Sequence, residues 1–204
     1  MKSFCYSHTG SRSNNEDYKG SSDFIFVLCD GVGGLHNGEI ASKMVCTSII
    51  EKTALYKQNE ITSGLIKNLV NEVQSELNQK AQEQHELMGI GTTFCAVVFT
   101  DKELICAHIG DSRIYVIDTI TSNYWRTTDH SVSGELIKSG IIKNSKSRKH
   151  PMANQLTRAI QANPENALAE TEIQLFKNID SRYLIFLCTD GVNEVLQDED
   201  LIEI

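Results

Sequence analysis

Apolar residues recur along this chain at two spacings, and the spacing sorts it into strands and helices. Asp23-Phe-Ile-Phe-Val-Leu-Cys29 is a continuous run rich in aromatic and β-branched residues, which predicts a strand buried on both faces. It runs into Asp30 and a glycine-rich turn. From Gly38 to about Tyr56, Ile40, Ala41, Met44, Val45 and Ile49 fall at helical spacing, with Glu39 in the first turn at the positive end of the macrodipole. A second helix starts at Thr62 or Ser63, where a hydroxyl can cap, and carries Leu65, Ile66, Leu69, Val73 and Leu77 on one face up to about Leu87. Its Gln-rich opposite face reads as solvent-exposed. Gly91 to Phe99, a turn at 100–102 and Glu103 to Ile109 predict a hairpin, to which Ser112 to Asp118 adds a third strand of an antiparallel meander. Residues 3–9 and Tyr124-Trp-Arg126 predict short strands, and Ser133 to Ser139 a short helix closed by Gly140. Thr171 to Phe176 and Arg182 to Cys188 predict two more strands, the second reaching Thr189-Asp-Gly191. Residues 141–153 turn polar and basic and read as a surface flap, its charges those of an ordinary solvated loop. Neither an internal repeat nor a linker interrupts this series, so residues 1–204 read as one domain.

Composition narrows the function classes. A chain of 204 residues is long enough to bury roughly 70% of the surface its unfolded form exposes. The formal net charge of -8 makes generic binding to a nucleic-acid backbone a poor fit. The six cysteines lie mostly in apolar runs, and no pair has CxxC spacing, so they read as reduced core residues. No segment approaches the roughly 18 apolar residues of a membrane span, and the N-terminus lacks an apolar leader, so a cytosolic protein without a membrane partner is expected.

The chemistry concentrates in carboxylates at strand ends. Asp30-Gly31 and Asp190-Gly191 each follow an apolar strand, Asp111 follows another in Gly110-Asp-Ser-Arg113, and the polar run Thr9 to Asp17 brings Arg12, Glu16 and Asp17. Two carboxylates would suit glycoside hydrolysis, but four or five gathered together repel one another unless cations intervene, and oxygen donors favour Mg²⁺ or Mn²⁺ over zinc. Taken alone, the stretch around Asp30 is equally a glycine-rich turn with a helix-capping Asp.

Several ordered motifs make the chain resemble a bacterial-type member of the metal-dependent protein phosphatase 2C family. They are Arg12 with Asn15-Glu-Asp17, Asp30-Gly-Val-Gly-Gly34 with Gly38-Glu39 and Ala41-Ser42, Gly91-Thr-Thr93, Gly110-Asp-Ser-Arg-Ile-Tyr115, Asp129-His-Ser131, Asn154 with Leu156-Thr-Arg-Ala159, and Thr189-Asp-Gly191. The resemblance implies an α+β fold, a four-layer αββα sandwich of two antiparallel sheets flanked by helices. It implies hydrolysis of phosphoserine and phosphothreonine in proteins, opposite a cognate kinase, by a hydroxide bridging two metal ions. By the same carry-over Asp30 bridges the ions, the Gly31 carbonyl helps hold one, Asp190 binds the other, and Glu16 and Asp17 orient water. Asp111 with Asp190 would hold a third, looser ion, and Arg12 would bind the phosphoryl oxygens, for which its planar fork is suited.

His36 is the histidine nearest these residues and is the expected general acid. The family's pattern differs here, because animal members carry a histidine at the position of Val32 and many bacterial ones at that of Leu35. His108 and His130 are expected to be structural. The family also continues beyond the Asp190 motif to a strand whose Asp-Asn pair supplies a further ligand. This sequence stops at Ile204 inside a helical pattern, so the fold is expected to be C-terminally incomplete and one metal more weakly held. A catalytically weak relative that binds phosphoproteins through the same cleft is the competing expectation.

Overall fold

The computed structural model describes residues 2–32, 37–142, 152 and 155–202. Among these residues, ten strands form two antiparallel sheets. The larger sheet contains β1 (Asp17–Ser21), β2 (Ile25–Val32), β3 (Gly91–Thr92), β4 (Phe94–Phe99), β5 (Leu104–Ile109), β8 (Ile160–Gln161) and β9 (Glu172–Phe176). Its order is β8-β3-β2-β4-β5-β9, with β1 paired to β2. The smaller sheet has β6 (Arg113–Asp118) between β10 (Tyr183–Cys188) and β7 (Tyr124–Arg126). The helices are α1 (Gly38–Thr53), α2 (Ser63–Glu83), α3 (Val132–Lys138), α4 (Asp190–Asn193) and α5 (Asp198–Ile202).

Strand alternation sorts the core into three layers of contact. Ile25, Val27 and Cys29 of β2, with Phe94, Ala96 and Val98 of β4, pack against Val45, Ile49, Ile66, Val70 and Leu77 of the two long helices. The alternate residues Phe26, Leu28, Cys95 and Val97 face Ile114, Val116, Ile185 and Leu187 of the smaller sheet. Tyr115, Ile117, Phe186 and Cys188 turn outward and pack on Val192, Leu201 and Ile202. Helices, sheet, sheet and helices therefore stack as the expected αββα sandwich. The helix boundaries obey local chemistry as well, since Thr62 Oγ1 accepts the Leu65 N–H at 3.2 Å and Ser131 Oγ that of Gly134 at 3.1 Å.

Three expectations are corrected. Residues 3–9 form no strand, and Phe4 and Tyr6 are 92% and 74% exposed. The edge of β2 is taken instead by Asp17–Ser21, a polar strand with no apolar signal of its own. The meander breaks after β5, because β6 crosses to the second sheet, where it pairs with β7 and β10, and the place beside β5 that the meander gave to β6 is taken by β9. Gly110 makes that turn at φ 104, a conformation that favours glycine. Cys5 is exposed, whereas the other five cysteines are buried and free. Among the described residues no helix is long and apolar enough to cross a membrane. The flap expected at 141–153 lies largely outside the described residues.

Candidate functional site

Asp30 shares the face of Phe26 and Leu28, so strand alternation carries its side chain to the end of the space between the sheets. Asp17 opens β1 directly opposite, as the Cα partner of Asp30. Asp111 lies in the crossover from β5 to β6, and Asp190 begins α4 immediately after β10. Four carboxylates from four separate segments thus reach the same end of the sandwich.

Backbone and hydroxyl contacts hold this arrangement. The Asp30 N–H donates to Thr93 Oγ1 at 2.9 Å, and its carbonyl accepts the Thr93 N–H at 2.8 Å and the Thr92 hydroxyl at 2.9 Å. Thr93 Oγ1 also bonds Ser112 Oγ at 2.7 Å, which ties the Asp30 strand to the residue after Asp111. Thr189 Oγ1 donates to Asp17 Oδ2 at 3.1 Å, joining β1 to the other sheet. These hydroxyls explain why a strand expected to run unbroken over 91–99 is interrupted at Thr93. Gly91-Thr-Thr93 stood out in the sequence without a role; its role is to grip the Asp30 peptide.

The electrostatics are unfavourable for four free anions. Burial, then Asp190, Asp17 and Asp111, pushes the Asp30 carboxyl up to about 9. Burial, then Asp190 and Asp129, pushes Asp111 up to about 7. Asp17 is raised by burial and by Asp190, against the opposing hydrogen bonds from Thr189 and Asp30 and the charge of Arg12. Asp17 and Asp190 are near enough to Asp30 for their carboxylates to act on its own. Arg12 is exposed, close enough to Asp17 for its charge to be felt there.

Glu16 and Gly31 belong to the support of α1. The Glu16 carbonyl accepts the Gly31 N–H at 3.0 Å and the Ser42 hydroxyl at 2.6 Å. A Cβ on Gly31 would lie 2.5 Å from the Gly38 carbonyl oxygen, so β2 and the first residue of α1 touch backbone to backbone. Gly31→Ala is therefore expected to cost about 3 kcal/mol or more, by pushing α1 off the strand that carries Asp30. Urea unfolding checks this, and an unchanged midpoint would refute the contact. His36 lies outside the described residues. A concavity lined by Gln74, Arg158, Gln161 and Leu168 contains none of these four carboxylates.

Residues 5–203 match the family described as Protein phosphatase 2C. The chain is 30% identical over 202 residues to the serine/threonine phosphatase stp of Listeria monocytogenes, covering 95% of this chain and 78% of that protein. It is also 30% identical over 197 residues to the serine/threonine protein phosphatase PstP of Mycobacterium tuberculosis, covering 94% of this chain and 36% of that one. The crystal structure of the serine/threonine phosphatase Stp1 from Staphylococcus aureus superposes with a TM-score of 0.84 at 27% identity, over 96% of this chain and 78% of that chain.

Proposed function

The chain belongs to the protein phosphatase 2C family, and we propose that it hydrolyses phosphoserine and phosphothreonine in proteins with the help of bound divalent metal ions. The observation that carries this reading is the placement of Asp30, buried to 7% exposure and flanked by Asp17, Asp111 and Asp190. The neighbours that act on it most strongly are all carboxylates, an arrangement that needs an external cation to hold its charge. All the donors are hard oxygens, which fits Mg²⁺ or Mn²⁺.

Asp30, Asp190 and the Gly31 carbonyl would hold two ions, and Asp111 with Asp190 a third. Bound there, such ions would supply Lewis acidity toward phosphoryl oxygens and bring the pKa of water down to about 7. The work of the chain's own residues is placement. Asp17 and Glu16 would orient the attacking water, and Thr189 would fix the Asp17 carboxylate that does so. Arg12, exposed beside Asp17, would bind the phosphoryl oxygens and hold phosphorus in line, with charge-assisted hydrogen bonds that strengthen as negative charge builds. The departing seryl or threonyl oxygen would take its proton from water or from His36.

Assaying the chain on a phosphothreonine peptide with Mn²⁺, with chelator, and as Asp30→Ala tests this. Chelation and the substitution are each expected to cut turnover by more than about 100-fold, beyond the usual effect of losing an outer-shell partner. Turnover no greater than the Asp30→Ala background would refute the enzyme reading and leave phosphoprotein binding as the function of the cleft.

A further inference from the structure

A second polar cluster lies behind Asp111. His108 of β5 is the Cα partner of Glu172 of β9. The His108 and His130 rings stack with centroids 4.5 Å apart and planes 11° from parallel, and both residues are 2% exposed. One ligand atom from each of His108, His130 and Glu172 falls within 4.8 Å of the others, a separation that suggests a metal site. The hydrogen bonds assign the nitrogens differently. The Gly110 N–H donates to His130 Nδ1 at 3.1 Å, so that nitrogen carries the lone pair and the proton sits on Nε2. Nε2–H then faces Glu172 Oε2 at 3.3 Å. His108 Nε2 faces the Thr128 carbonyl at 3.1 Å and must be the donor there. A metal on His130 Nε2 would demand an imidazolate, since Nδ1 is already accepting.

The same contacts bracket one residue. The His130 ring accepts the Gly110 N–H, and the His130 backbone N–H donates to the Gly110 carbonyl at 2.9 Å. The turn that carries His130 is itself anchored, because Arg113 Nε and Nη2 donate to both oxygens of Asp129 at 2.7 and 2.6 Å. Gly110 has the greatest backbone freedom of any residue type and immediately precedes Asp111. Left unclamped, it would let the Asp111 carboxylate swing.

We propose that His130, held as the Nε2–H tautomer by Glu172, is a positioning residue that fixes Gly110 and thereby aims the Asp111 carboxylate at a divalent ion. This rests on the metal reading of the carboxylate site. Because the readout is binding rather than turnover, calorimetric titration of the full chain with Mn²⁺ separates the two. His130→Ala is expected to weaken the loosest Mn²⁺ site about tenfold, the range seen when an outer-shell partner is lost. His130→Asn is expected to recover to within about threefold, since Asn Oδ1 occupies the branch position of Nδ1 and can accept the Gly110 N–H. Combined with Asp111→Asn, His130→Ala is expected to add nothing further. Glu172→Leu, at a half-exposed position, is expected to weaken the same site in the same direction and serves if His130→Ala does not fold.

Wild-type Mn²⁺ affinity in both His130→Ala and Glu172→Leu would overturn the proposal while leaving the metal reading intact. So would a His130→Asn no better than the alanine variant, or a His130-dependent zinc site that survives Asp111→Asn. Absence of any Mn²⁺ binding by the wild-type chain would overturn the metal reading, and this proposal with it.

Discussion

Stripped of divalent ions, the protein is expected to lose stability as pH rises from 7 to 8.5, and Asp30→Asn to remove most of that loss. The sign follows from linkage. The Asp30 carboxyl, raised from 3.8 to about 9, keeps its proton in the folded state where the unfolded chain has already released it. The folded state thus binds more protons between those values, and stability falls as pH climbs through the interval. Asp111, raised to about 7, acts in the same direction, mostly below that pH. His108, lowered to about 4 by burial, acts in the opposite direction between there and 6.5, and His130 is lowered in the same sense. By about pH 8 those contributions have largely finished, while the buried thiols of Cys29, Cys95, Cys106 and Cys188, all raised from an ordinary value of 9, begin to add a smaller loss of the same sign toward the top of the window. Asp30 is the largest single contribution between pH 7 and 8.5. One such proton is worth about 1.4 kcal/mol per pH unit, or roughly 2 kcal/mol across the window. That corresponds to a fall in melting temperature of about 6 °C. Saturating Mn²⁺ is expected to reverse the fall in the wild type, by about 2.7 kcal/mol at a hundred times the dissociation constant, and not in Asp30→Asn. Melting curves in chelator at pH 7 and 8.5 decide it; identical slopes for the two proteins would remove Asp30 from the account.

Truncation of Asp198 to alanine is expected to cost 3 to 5 kcal/mol, about 10 °C in melting temperature, from a residue remote in sequence from the strands it fastens. Asp198 of α5 is only 6% exposed and receives the Arg126 Nε at 2.7 Å, the Tyr115 hydroxyl at 2.9 Å and Arg113 Nη1 at 3.3 Å. Burial opposes its charge, yet Arg126, Tyr115 and Arg113 hold its carboxyl below the ordinary range. Removing the carboxylate leaves two guanidinium groups in a nearly dry space to share Asp129 as counter-ion, and that loss of pairing outweighs the attraction an exposed pair would supply. The surface pairs of the partly exposed Lys52 with Glu72 and Glu76, at 3.4 and 2.8 Å, make the control, since Lys52→Ala should leave the melting temperature within error. Equal shifts for the two substitutions would show that the buried network is no more than a surface pair. Because Arg113 also binds Asp129, the turn before His130 should loosen along with α5 in Asp198→Ala, which amide exchange at residues 128–131 would register.

Much of this protein is already decided by the order of its residues. Alternation in Ile25 to Cys29, Phe94 to Phe99 and Leu104 to Ile109 assigns each side chain to one face of a strand, because successive side chains point oppositely whatever the strand pairs with. The Thr62 and Ser131 hydroxyls mark helix starts for an equally local reason. Asp30, Asp111 and Asp190 stand out because a carboxylate closing an apolar strand is costly without a counter-ion. Tertiary structure decided which elements meet. Residues 113–118 look like the next strand of a meander, yet they pair in the other sheet, since the choice of partner depends on the Gly110 turn and on the faces left to cover. Residues 3–9 carry a strand pattern but pair with no strand among the described residues, while Asp17–Ser21 carries none and pairs along its full length, because an edge strand needs a free edge more than it needs apolar residues. The hydroxyl grip of Thr92, Thr93, Ser112 and Thr189 and the His130 clamp on Gly110 join residues far apart in the chain. Directional contacts of that kind exist only after folding has brought the two sheets together.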